Sequence, residues 1–148
     1  MSEKSSLLEP QKIHLVNFKI IRGQIESPFG FDQEKIEDYS FMVDFDMAFN
    51  LEEKLVKADF SVEIKTVSAE EQDEEAFGLF SFVFIYEVEN LEDLAEAKND
   101  GIEVQGGLGN ALASITYSTS RGVLMTRFQG TELESFILPV IDPNNLLK

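Results

Sequence analysis

The chain has 148 residues, 43% of them apolar and 27% charged, with 28 acidic against 12 basic side chains and a formal net charge of −16. That length suits one domain, 1–148, with a substantial core, and the composition is that of a folded protein rather than a disordered one. The charge disfavours nucleic acid, the absence of cysteine removes disulfide and thiolate chemistry, and no apolar run is long enough for a membrane helix.

The amino terminus, MSEKSSLLEPQK, is polar and lacks the apolar centre of a signal peptide. A flexible tail over residues 1–10 and a cytoplasmic location are the expectations. Residues 11–26 then read as a strand carrying Val16, Phe18 and Ile20 on one face, with Gly23 marking a bulge or kink. Residues 27–38 hold Pro28, Gly30 and several charges and read as a loop. Residues 39–51 alternate, with Phe41, Val43, Phe45, Met47, Phe49 and Leu51 opposite Asp44, Asp46 and Asn50. Residues 55–67 repeat the pattern, setting Ala58, Phe60, Val62 and Ile64 against Asp59, Ser61, Glu63 and Lys65.

After a solvated turn over Glu70–Glu75 comes FGLFSFVFIYEV, residues 77–88, apolar on both faces. Phe77, Leu79, Ser81, Val83 and Ile85 share one side; Phe80, Phe82, Phe84, Tyr86 and Val88 share the other. Burying a large apolar side chain contributes about 1.5–3 kcal/mol, so four aromatics left in water would forfeit about 8 kcal/mol. A domain's whole net stability is about 5–15 kcal/mol, so both faces need cover. Four strands with short connections predict an antiparallel meander.

The period then changes. Asn90 is placed to cap a short helix over Leu91–Lys98, and residues 108–128 predict a long helix rich in small residues and stopped at Gly130. An apolar extended segment and an Asp-Pro turn close the chain. Strands followed by helices define an α+β fold, with the long helix packed on one face of the sheet.

No catalytic set or cofactor site emerges. His14 stands alone and, without cysteine, belongs to no zinc set. Asp44 and Asp46 share a strand face and are the one carboxylate pair to weigh, although alternating polar residues ordinarily face water. The Glu70–Glu75 tract lacks the spacing of a calcium loop, and Gly106, Gly107 and Gly109 lack the Lys-Ser/Thr of a phosphate loop. Phe29 and Phe31 differ: they sit in a polar loop where no periodicity calls for aromatics, either as anchors on the core or as contacts for a partner chain.

The order of elements resembles the SecB family of export chaperones. Gly130 is followed by TELESFIL and then the pair Pro139-Val140, with Leu146 and Leu147 shortly after. Where that family commonly has Ser-Arg-Gly, this chain has Phe128, Gln129 and Gly130, with Arg127 one place earlier. The layout looks like a divergent Gram-positive branch of SecB-like proteins. The resemblance implies a dimer of dimers with edge strands paired across subunits, and apolar grooves that hold unfolded polypeptide without ATP. The family continues into a second helix and tail, whereas eight residues follow Val140 here, so the groove lid, the motor contact and the export role stay open in what the resemblance implies.

The functional expectation is therefore a non-enzymatic, homo-oligomeric holdase for extended polypeptide. The alternative is an oligomeric scaffold or adaptor with one dedicated protein partner. The expected contact residues are Phe29 and Phe31, with exposed members of the row Phe80, Phe82, Phe84 and Tyr86; no metal, cofactor, nucleic acid or membrane insertion is expected.

Overall fold

A computed structural model describes residues 8–70, 72 and 74–147. Four long strands form one antiparallel sheet: β1 (Ile13–Glu26), β2 (Ile36–Asn50), β3 (Leu55–Ser68) and β4 (Phe77–Val88). The α+β architecture is as expected, but the spatial order is β1-β4-β3-β2. The meander therefore holds for β2 to β4, while β1 joins the far side of β4 instead of pairing with β2. This places Phe18 of β1 against Phe82 and Phe84, with ring centroids 5.9 and 5.0 Å apart. It also leaves the acid-bearing β2 at an edge, where charge is tolerated.

Pairing with β4 requires register shifts in β1 between Leu15 and Asn17 and between Ile20 and Arg22. Phe18 and Ile20 consequently pack on the core, whereas Val16 lies within the first irregularity and is exposed, not inward as the alternation predicts. Gly23 follows the second shift and sits opposite Phe80. A Cβ there would meet the Phe80 ring at 3.0 Å, so the missing side chain makes room for the aromatic.

The helix α2 runs from Gly106 to Arg127, about 33 Å at 1.5 Å per residue. Its stripe of Leu108, Leu112, Thr116, Ser120 and Leu124 recurs every fourth residue and is buried against the sheet. The Gln105 side chain accepts the Leu108 N–H at 2.9 Å to start the helix, and Gly130, at φ +80°, follows its end in the left-handed region that favours glycine.

The helix expected over Leu91–Lys98 is corrected to a single turn, α1 (Leu91–Leu94), followed by a hairpin of β5 (Ala95–Lys98) and β6 (Gly101–Val104). So short a helix has little stability of its own, and Asn99-Asp100 followed by a positive-φ Gly101 turns the chain back. Glu96 and Glu103 face each other across this hairpin, and Lys98 pairs with both at 3.7 and 3.3 Å. Asn90 precedes α1 without capping it; its Oδ1 is buried without a partner.

Of the expected amino-terminal tail, residues 1–7 lie outside the described residues; Leu8 packs against the core and Pro10–Lys12 make one 3-10 turn. The carboxy-terminal segment runs back along α2. Tyr117 donates to the Pro139 carbonyl at 2.6 Å and Arg121 Nε to the Leu138 carbonyl at 2.7 Å. Phe136 inserts between this segment and β2, 5.5 Å from both Tyr39 and Phe41.

Candidate polypeptide-binding surfaces

The two faces of β4 have different fates. Phe80, Phe82, Phe84 and Tyr86 lie beneath α2 and the returning segment, none more than 2% exposed. Their proposed role as exposed contacts is corrected: they form the centre of the core, opposite Val56, Ala58, Phe60 and Val62 of β3. The Phe77, Leu79, Val83 and Ile85 side faces outward and is half-buried. The missed signal was the stripe on α2, whose fourfold spacing matches the larger aromatic row.

The row on β2 is less well covered. Phe41 is 39% exposed, and Val43, Phe45, Met47 and Phe49 only partly bury against the core. They stand on an edge whose outer hydrogen-bonding side has no neighbouring strand. From Asp38 to Asn50 the register with β3 is regular, whereas the other edge, β1, carries two irregularities. Bulges blunt an edge against further pairing, so β2 is the edge that remains straight enough to accept another strand. Ile137 and Val140 on the returning segment add exposed apolar surface.

Phe29 is fully exposed at the tip of its loop and Phe31 is half-buried. The loop is braced: the Phe31 N–H reaches the Pro28 carbonyl at 3.0 Å, Asp32 caps Glu34 at 3.0 Å, and the Gln72 side chain bonds the Asp32 backbone at both groups. Beside it lies a cleft of about 370 Å³ lined by Phe29, Phe31, Lys35, Gln72 and Glu74, next to one of about 660 Å³ lined by Glu26, Lys65, Glu75 and Phe77. The acidic tract is thus more than a solvated turn. Glu75 accepts from the hydroxyls of Thr66 at 2.7 Å and Ser68 at 2.9 Å. Glu71 and Asp73 lie outside the described residues.

The remaining chemical candidates are dispersed. His14 Nε2 lies 2.6 Å from Glu89 in a half-exposed pair. Asp44 and Asp46 are on the outward face of β2, opposite Ser61 and Asp59. Among the described residues, no three His, Cys, Asp or Glu side chains gather to hold a metal.

No family model matches the chain, and no curated protein matches it in sequence. The fold is that of SecB-like proteins. A solved structure with this fold is a SecB-like chaperone of Mycobacterium tuberculosis in complex with a ChAD peptide from the HigA1 antitoxin, at TM-score 0.56 and 11% identity, over 89% of this chain and 91% of that one. A Streptococcus agalactiae protein of unknown function matches at TM-score 0.31 and 11% identity, over 86% of this chain and 97% of the other. Among the described residues, no helix is long and apolar enough to cross a membrane.

Proposed function

We propose that this chain is a non-enzymatic, SecB-like polypeptide-binding protein that holds extended or unfolded segments along the free edge of β2. The observation that carries the reading is the coincidence, on one strand, of an unpaired regular edge and a half-covered row from Phe41 to Phe49. A client strand pairing there gains backbone hydrogen bonds from the edge and sets alternate side chains beside the apolar row. A fold shared with a peptide-bound SecB-like chaperone supports it.

In this reading the protein acts in the cytoplasm, without ATP or any cofactor, as one domain assembled into a dimer or tetramer. Support for assembly comes from α2: no acidic residue occurs from Val104 to Thr131, and Ile115 and Met125 are exposed on its outer side. A surface free of acids that carries Arg121 and Arg127, in so acidic a chain, is suited to contact another copy. Phe29 and Phe31 are the auxiliary contacts. The polar lining of their cleft, Lys35, Gln72 and Glu74, favours a second reading, an adaptor that selects one partner by sequence.

Suppression of aggregation of a slow-folding protein, measured with binding of reduced carboxymethylated lactalbumin, tests the holdase. We expect both activities, with Phe41→Ser/Phe45→Ser weakening each. Absence of both activities contradicts the proposal; one dominant captured partner, without suppression of aggregation, supports the adaptor.

A further inference from the structure

The outward face of the sheet carries a charge pattern that polypeptide binding at β2 does not use. Down its middle, β4 presents Phe77, Leu79, Val83 and Ile85, half-buried and broken only by Ser81. The register places Lys19, Val83, Asp59 and Asp46 in one row across β1, β4, β3 and β2. The next row holds Arg22, Ser81, Ser61 and Asp44. Cations therefore stand on one side of the apolar stripe and carboxylates on the other, in the same two rows. At the end of the stripe the order inverts, with Glu26 on the β1 side of Phe77 and Lys65 on the β3 side.

We propose that this face is self-complementary, and that a second copy of the chain stacks on it about a two-fold axis running along β4. A two-fold axis carries no translation, so each row lies over the same row of the other copy. The stripe then meets the stripe, and β1 of one copy lies over β3 of the other. Lys19 falls over Asp59 and Glu26 over Lys65, while Arg22 falls over Ser61 with Asp44 one strand further on. The remaining rows set Gln24 over Glu63, Asn17 over Lys57 and His14 over Leu55; on the axis itself Glu87, exposed at the end of β4, falls over its own copy and is the one like-charge contact.

A two-fold axis across the strands instead lays β1 on β1 and the cationic rim on itself, which like-charge repulsion disfavours. A generally basic partner matches the Asp44–Asp46–Asp59 side but collides with Lys19 and Arg22. An occupant with both rims, in this order, matches both sides of the stripe. The twelve residues of β4 and the three strands that overlap, with β2 lying beyond β1 of the other copy, give a footprint on the order of 600 Å² per copy, at the lower end of standard interfaces. Stacked sheets lie about 10 Å apart, within reach of Lys, Arg and Glu side chains.

The test is a charge swap read by sedimentation velocity at low salt. Lys19→Glu/Arg22→Glu has two acidic rims and Asp46→Lys/Asp59→Lys two largely basic ones; circular dichroism checks that both fold. Each alone should self-associate at least about tenfold more weakly than the wild type, and a one-to-one mixture should regain association as a heterodimer. A mixture that stays dissociated, or variants that associate like the wild type, overturns the proposal. Ser81→Cys, the sole cysteine in that variant, keeps the native charges and should be joined into a covalent dimer by a short bis-maleimide; no such dimer also overturns it. Lactalbumin binding measured on the same samples reports on β2 separately, so the failure of either claim is visible without the other.

Discussion

The hydroxyls of Tyr86 and Thr116 lie 2.8 Å apart, both buried, and tie the centre of the sheet to the centre of α2. Burial raises the Tyr86 pKa, and the Thr116 hydrogen bond opposes that rise. The two hydroxyls are not equivalent. A helical threonine left alone can turn to a carbonyl of the preceding turn, whereas the tyrosine has no such local acceptor. Tyr86→Phe should therefore cost about 1 kcal/mol, and Thr116→Val about 1–3 kcal/mol by stranding a buried phenol. Urea midpoints of both variants and the double variant check this; the double should cost less than the sum.

Gly78 lies against the buried Leu133, and a Cβ added to it would stand 2.6 Å from Leu133 Cδ1. Leu133 has no solvent side to move into. Gly78→Ala should destabilise the fold by about 1–3 kcal/mol, the usual cost of overpacking. Combining it with Leu133→Val should recover part of that loss, measured by thermal unfolding.

Glu75 gives the stability a defined pH dependence. Burial pushes its pKa up, but hydrogen bonds from Thr66 and Ser68 and the charge of Lys65 together outweigh burial, and the net shift is downward. A carboxylate held below its unfolded pKa stabilises above the ordinary range near about 4.3, and that contribution fades as pH falls through the folded value. Wild type should exceed Glu75→Gln in stability at pH 7, with the gap closing through the acid range. A gap independent of pH would contradict the assignment.

Two hydrogen bonds to backbone carbonyls, from Tyr117 to Pro139 and from Arg121 to Leu138, hold the returning segment on α2 beside the buried Leu138 and Leu146 and the Asn110–Asn144 side-chain pair. Arg121→Ala with Tyr117→Phe should raise hydrogen exchange and protease cleavage over residues 137–147 while β3 and β4 stay protected. Equal loosening of the whole chain would contradict a local role for these two bonds.

β2 and β3 were legible because each alternates apolar and polar residues at period two, β4 because its run is apolar on both faces, and the long helix because Gly130 stops it. The place of β1 was not, since pairing with β4 depends on two register shifts that alternation cannot announce. The expected contact row fell on the wrong face of β4 for a related reason: both faces are apolar, and only the α2 stripe distinguishes them. Phe29 could be singled out from sequence because an aromatic in a polar loop has no periodic explanation, and it stands fully exposed. The free edge of β2 is a property of strand order, and strand order was the part misread.

Hydrogen exchange of the full chain with and without reduced carboxymethylated lactalbumin tests the central claim most directly. Binding along the edge should slow exchange of the outward-facing amides over residues 38–50 and leave β1 unchanged. Bound lactalbumin with no protection in that strand, or protection confined to other elements, would contradict the account.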